Sequence, residues 1–67
     1  MKETLQHYKN ERKKIKIFLK PDARIRYTGY IIAISDESIT IKDKFNEEIL
    51  ISISGILNID PIRGVYQ

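Results

Sequence analysis

The chain's 67 residues carry twelve Lys and Arg against nine Asp and Glu, a net charge of +3, with one histidine and no cysteine. That length allows one marginal domain, burying only about 60% of its unfolded surface, and without cysteines or a second histidine it has no disulfide, thiolate site or histidine metal cluster to staple it. No apolar run approaches the roughly 18 residues that span a membrane, and no signal peptide is recognisable, so the expectation is a cytoplasmic protein with no membrane contact and no cofactor.

Met1 to Arg12 is rich in Lys, Glu, Gln and Leu, which favour helix, and a helix is expected over about residues 2–12. Leu5 and Tyr8, three residues apart, share one face and should dock on something apolar, while Lys9, Asn10 and Arg12 face away. Alone such a helix is too short to persist in water, so packing must hold it.

Lys14 to Lys20 alternates: Ile15, Ile17 and Leu19 face one way, and Lys14, Lys16, Phe18 and Lys20 the other. Pro21-Asp22 signals a turn. Arg24 to Ile34 alternates again, with Ile25, Tyr27, Gly29, Ile31 and Ala33 on one side and Arg26, Thr28, Tyr30, Ile32 and Ile34 on the other. Gly29 stands inside this strand instead of in a turn, which implies a sharp bend or a close backbone approach.

Ser35-Asp36-Glu37-Ser38 is a polar turn, Ile39 to Lys42 a third strand and Asp43 to Asn46 a second turn. Glu48 to Ser54 reads as a fourth strand, broken by Gly55, and Ile56 to Asp60 as a fifth, stopped by Pro61. A loose tail is expected over 63–67. The fold class expected is mainly β: a short N-terminal helix and a five-stranded, strongly bent small barrel over about 14–62, forming a single domain. An oligonucleotide-binding barrel and an SH3-type chromatin protein are the alternatives.

Charge is unevenly placed. Residues 1–26 hold nine Lys and Arg against three acids, a net +6, and the remainder is −3. A concentrated basic segment is the electrostatic footprint of a polyanion binder. Phe18 among lysines combines a stacking platform with phosphate neutralisation, as single-stranded nucleic acid requires, and Tyr27 and Tyr30, on opposite faces of the next strand, could add to it. Each of these aromatics has an ordinary alternative as a packing residue. Paired carboxylates in turns read as solvated loop charge, and the chain has no nucleophile elbow and no glycine-rich phosphate loop. No enzyme is expected.

The pattern resembles the Sm-like superfamily, and its Hfq branch in particular, over about Leu5 to Pro61. The resemblance rests on Leu5-Gln6-His7-Tyr8-Lys9-Asn10-Glu11-Arg12, on Ile17-Phe18-Leu19, and on Gly29-Tyr30-Ile31-Ile32-Ala33-Ile34-Ser35-Asp36. Five features depart from it: Ser35 replaces the usual Asp, the Asn usual after the acidic turn is missing, Ser52-Ile53-Ser54 stands where Hfq has Tyr-Lys-His, Ser54-Gly55 where other Sm proteins have Arg-Gly, and Pro21 to Ala23 makes the first hairpin longer than in Hfq. The resemblance implies a homo-oligomeric ring, hexamer or heptamer, in which strand four of one subunit pairs with strand five of the next. It also implies single-stranded RNA as partner, bound through Lys9, Arg12, Phe18, Tyr27, Thr28, Ser35, Asp36, Ser54 and Gly55. Independently, the isoleucine-rich fourth and fifth strands carry few gatekeeper charges and need a partner. A protein-interaction module of SH3 type in ribosome or complex assembly is the other reading, and a small DNA-binding chromatin protein a third.

Overall fold

Spacing of apolar residues decides the elements, and the computed structural model, which describes residues 1–62, places them in the order α1 (Lys2–Asn10), β1 (Lys14–Leu19), β2 (Arg26–Ile34), β3 (Ser38–Lys42), β4 (Glu48–Ser52), a 3-10 turn (Ile53–Gly55) and β5 (Ile56–Pro61). The strands form one antiparallel sheet in the order β4-β3-β2-β1-β5. Its inner face carries Ile15, Ile17, Ile31, Ile39, Ile41, Ile51 and Ile56, all buried, and Leu5 of α1 closes the cluster with no exposure at all. Burial of one such side chain contributes about 1.5–3 kcal/mol, and this is what holds a nine-residue helix in place against β2. Tyr8 packs against the same cluster, as the three-residue spacing from Leu5 required.

The sheet is not a closed barrel. β5 leaves the 3-10 turn and runs along the free side of β1, its start tied by the Lys20 N–H donating to the Gly55 carbonyl at 2.9 Å. β1 thus uses both its edges, and β4 and β5 remain at opposite margins with no ladder between them.

Several boundaries differ from the sequence expectation, each for a local reason. The helix ends at Asn10 because Arg12 takes a left-handed conformation (φ 54°), with its N–H on the Lys9 carbonyl and that of Lys13 on the Tyr8 carbonyl, a Schellman closure. β2 begins at Arg26, not Arg24, because Ala23 is left-handed (φ 67°) and the Arg24 N–H turns onto the Asp22 carboxylate. β4 stops at Ser52, where the Ile53 N–H leaves the strand and donates to the Glu37 carbonyl at 2.8 Å. β5 runs through Pro61: its outer side is unpaired, so a missing N–H costs nothing there, and the Ile62 N–H reaches the Lys14 carbonyl beyond it. The expected tail at 63–67 lies outside the described residues.

Gly29 makes the close approach its position implies. A Cβ there would overlap the Lys42 carbonyl oxygen of β3, so only glycine fits without moving that strand. Just beyond it, the register between β2 and β3 slips between Ile31 and Ala33. This bulge reverses the expected faces of the last residues: Ala33 is exposed, while Ile34 turns in to pack against the core.

Candidate nucleic-acid interface

Residues paired across adjacent strands point to the same side of a sheet, so the registers define what the outer face presents. Lys14 and Lys16 on β1, Arg26 on β2 and Lys42 on β3 all share parity with Phe18 and Tyr30 on that face. Phe18 lies between Arg26 and Asn58, Lys16 between Thr28 and Asp60, and Tyr30 between Lys14 and Lys42. Two aromatic rings are therefore each flanked by at least one cation. Among the described residues, the ion pairs engage only Lys2 and Arg24 of all the lysines and arginines, so the cations of this face are free to meet phosphate.

The residues singled out from the sequence fall into four places. Phe18 and Thr28 lie on the outer face, both half-buried. Tyr27 has the opposite parity, pairs with the buried Ile17 and packs against the core, so it cannot continue the surface of Phe18. Lys9 and Arg12 stand at the end of α1 and line a hollow with Tyr30, Ile31 and Ile32, which joins the helix to the far end of the same outer face.

The turns that the resemblance equates with base-binding loops are partly brought together. Asp36 and Ser54 line one hollow with Glu37, Ser52 and Ile53, while Gly55 lines a different groove with Leu19, Lys20 and Tyr27. Ser35 caps its own turn: its Oγ accepts the Ser38 N–H at 3.1 Å and lies 2.9 Å from the Ser38 hydroxyl. The Ser52 and Ser54 hydroxyls bond each other at 3.0 Å. Lys2 Nζ sits 2.7 Å from Asp36 Oδ1, and this hydrogen bond, with the lysine's charge, holds the Asp36 carboxyl below its ordinary value. The hollow is thus acidic in its lining, with Asp36 and Glu37 side by side and Lys2 already engaged by Asp36. Phosphate is better accommodated on the outer face.

Sequence reasoning placed the β3–β4 turn but did not single out Phe45 within it as a candidate contact. Phe45 is 70% exposed there, and the Lys44 ammonium lies 5.2 Å from its ring centre. The signal available was a lone aromatic inside a polar turn, adjacent to a cation.

The chain matches no protein-family model and no curated protein sequence.

Proposed function

We propose that the protein binds single-stranded RNA without catalysing a reaction, as an Sm-like, Hfq-related subunit of a cytoplasmic homo-oligomeric ring. The observation that carries this reading is the outer sheet face, where unpaired Lys14, Lys16, Arg26 and Lys42 surround Phe18 and Tyr30. Stacking on the rings is sequence-tolerant because every base has a π-face, and the cations track the backbone. The ring is supported by a second feature. The strands left at the margins of the sheet, β4 and β5, are the two that an Sm-like assembly pairs between subunits, and each exposes an apolar side chain, Leu50 and Leu57. Repetition round a ring would turn one modest basic face into a large one and add weak contacts through avidity.

Fluorescence anisotropy of a labelled oligo(A) against salt tests the reading. Wild type should bind with log K falling linearly in log salt, by about 0.7 for each phosphate neutralised. Lys16→Ala with Arg26→Ala should reduce that slope by about 1.4, and Phe18→Ala should weaken binding by about 1–3 kcal/mol if one base stacks on it. A salt-independent affinity, or duplex DNA competing as well as the single strand, would overturn the reading. The exposed Leu50 on a free edge also suits the other reading, a module that adds a strand from another protein; that module would show no RNA binding in the same assay.

A further inference from the structure

We infer that the cleft between the β3–β4 turn and the first half of β2 is a nucleotide subsite, where one base of a single-stranded RNA stacks on Phe45 and its phosphate lies among Lys14, Arg26 and Lys44. The inference rests on the RNA-binding reading above and adds to the Phe18 face a ring from the β3–β4 turn at its border.

Phe45 is the most exposed aromatic among the described residues, and it sits on a turn built to hold it still. Asp43 Oδ1 accepts the N–H of Phe45 at 2.9 Å and that of Glu47 at 3.0 Å. Backbone bonds close the same turn from the Asp43 N–H to the Glu47 carbonyl and from the Asn46 N–H to the Asp43 carbonyl, both at 3.0 Å. Asn46 supplies the left-handed residue (φ 66°) that such a turn needs, a conformation asparagine tolerates. A large apolar ring on a rigid, solvent-facing tip gains nothing for the fold, whereas a fixed ring loses little conformational entropy when a base stacks on it.

The ring borders a cleft of about 390 Å³ lined by Lys14, Arg26, Thr28, Asp43, Lys44 and Phe45, among others, a size at the low end for small-ligand sites. Three of these side chains are cations and one is an acid, and the acid's Oδ1 is committed to the turn. Lys44 lies over the Phe45 ring, within cation–π distance, and is positioned to meet the phosphate of a base stacked on that ring. The Thr28 hydroxyl adds a neutral donor and acceptor on the opposite wall. A planar base carrying one phosphate matches this combination of ring, cations and hydroxyl. An acidic peptide would use the cations and leave the ring idle.

The test compares wild type, Phe45→Ala and Phe45→Trp for binding to labelled oligo(A) and to an abasic strand of equal length, with native mass measured for each. Phe45→Ala should lower oligo(A) affinity about tenfold or more, leave the abasic strand unaffected, and be rescued by Phe45→Trp at unchanged mass. Wild type binding oligo(A) with Phe45→Ala unaffected would overturn the subsite and leave the proposed function standing. Equal weakening on both strands, or a lower native mass for Phe45→Ala, would make Phe45 a structural or subunit-contact residue and overturn the subsite. Failure of wild type to bind oligo(A) at all would overturn both.

Discussion

Arg12 occupies a conformation that glycine adopts freely, and an L-residue with a long side chain there costs on the order of 1 kcal/mol. The same residue holds a guanidinium beside Lys9 and Tyr30 at the end of the basic face. Stability and charge are therefore opposed at one position. Arg12→Gly should raise the melting temperature by roughly 4–8 °C if about 1 kcal/mol is recovered, and should weaken RNA binding. Arg12→Lys should leave the melting temperature where it is, since it keeps both the strain and the charge. A Gly variant that melts no higher than wild type would show that the chain's left-handed turn carries no strain. Two other positions separate steric from conformational need. At Gly29 a methyl group meets the backbone of β3, so Gly29→Ala should destabilise by about 1–3 kcal/mol in denaturant unfolding. At Gly55 the same addition meets open space and φ is not positive, so Gly55→Ala should be neutral or slightly stabilising. Equal effects at the two sites would rule out the close approach as the reason for Gly29.

Among the elements, β1 was legible because its alternation is unbroken: Ile15 and Ile17 went inward, and Lys14, Lys16 and Phe18 outward, as the period of two demands. The end of β2 was not, because Ile31, Ile32, Ala33 and Ile34 are all apolar and nothing in their identity marks which is the extra residue of a bulge. The helix stop was hidden for a related reason, as the usual sign of a Schellman end is glycine and here an arginine takes its place. For the candidate site, the basic segment and Phe18 could be read locally, whereas Tyr27, offered as an addition to Phe18, shares parity with Gly29 and Ile31 and is half-buried against the core. Tyr30 was legible as an addition to the Phe18 platform, whereas Arg26 and Lys42 joined the face only through pairing between strands, which spacing along one strand does not reveal. A contact between elements distant in sequence, Lys2 of α1 with Asp36 of the β2–β3 turn, was equally invisible. It has a pH consequence. The Asp36 carboxyl is lowered in the folded protein from an ordinary value of 3.8, so its contribution is complete above that value and disappears as pH falls through the lower folded value. Both groups are exposed, so the effect is small and weakened by salt. Melting curves of wild type and Asp36→Asn should differ at neutral pH and low salt and converge in acid; a difference that persists under full protonation would assign the effect to something other than this pair.

On the scale of the whole molecule, the open sheet is the feature that most constrains behaviour. Its inner face is sealed by Leu5 and seven isoleucines, yet β4 and β5 leave unpaired backbone groups at both margins, beside Leu50 at 73% exposed and Leu57 at 45%. Edges of this kind template pairing with another chain unless charges or prolines blunt them. Pro61 ends β5, but no charge interrupts Ile49, Leu50 and Ile51 on β4. Pairing of β4 with β5 of a neighbouring copy would satisfy both margins and leave the basic face of β1 and β2 accessible, which joins assembly and RNA binding without making either depend on the same residues. Stability should then rise with protomer concentration, since association stabilises the folded state by mass action. Leu50→Lys places a charge on that edge while leaving the core untouched. It should lower the native mass from the six or seven subunits of a ring to one, abolish the concentration dependence of melting, and weaken oligo(A) binding through lost avidity while the single-subunit contacts remain. A wild-type chain that is already monomeric at micromolar concentration would remove the ring from the account, and with it the reason for two bare edges to be matched.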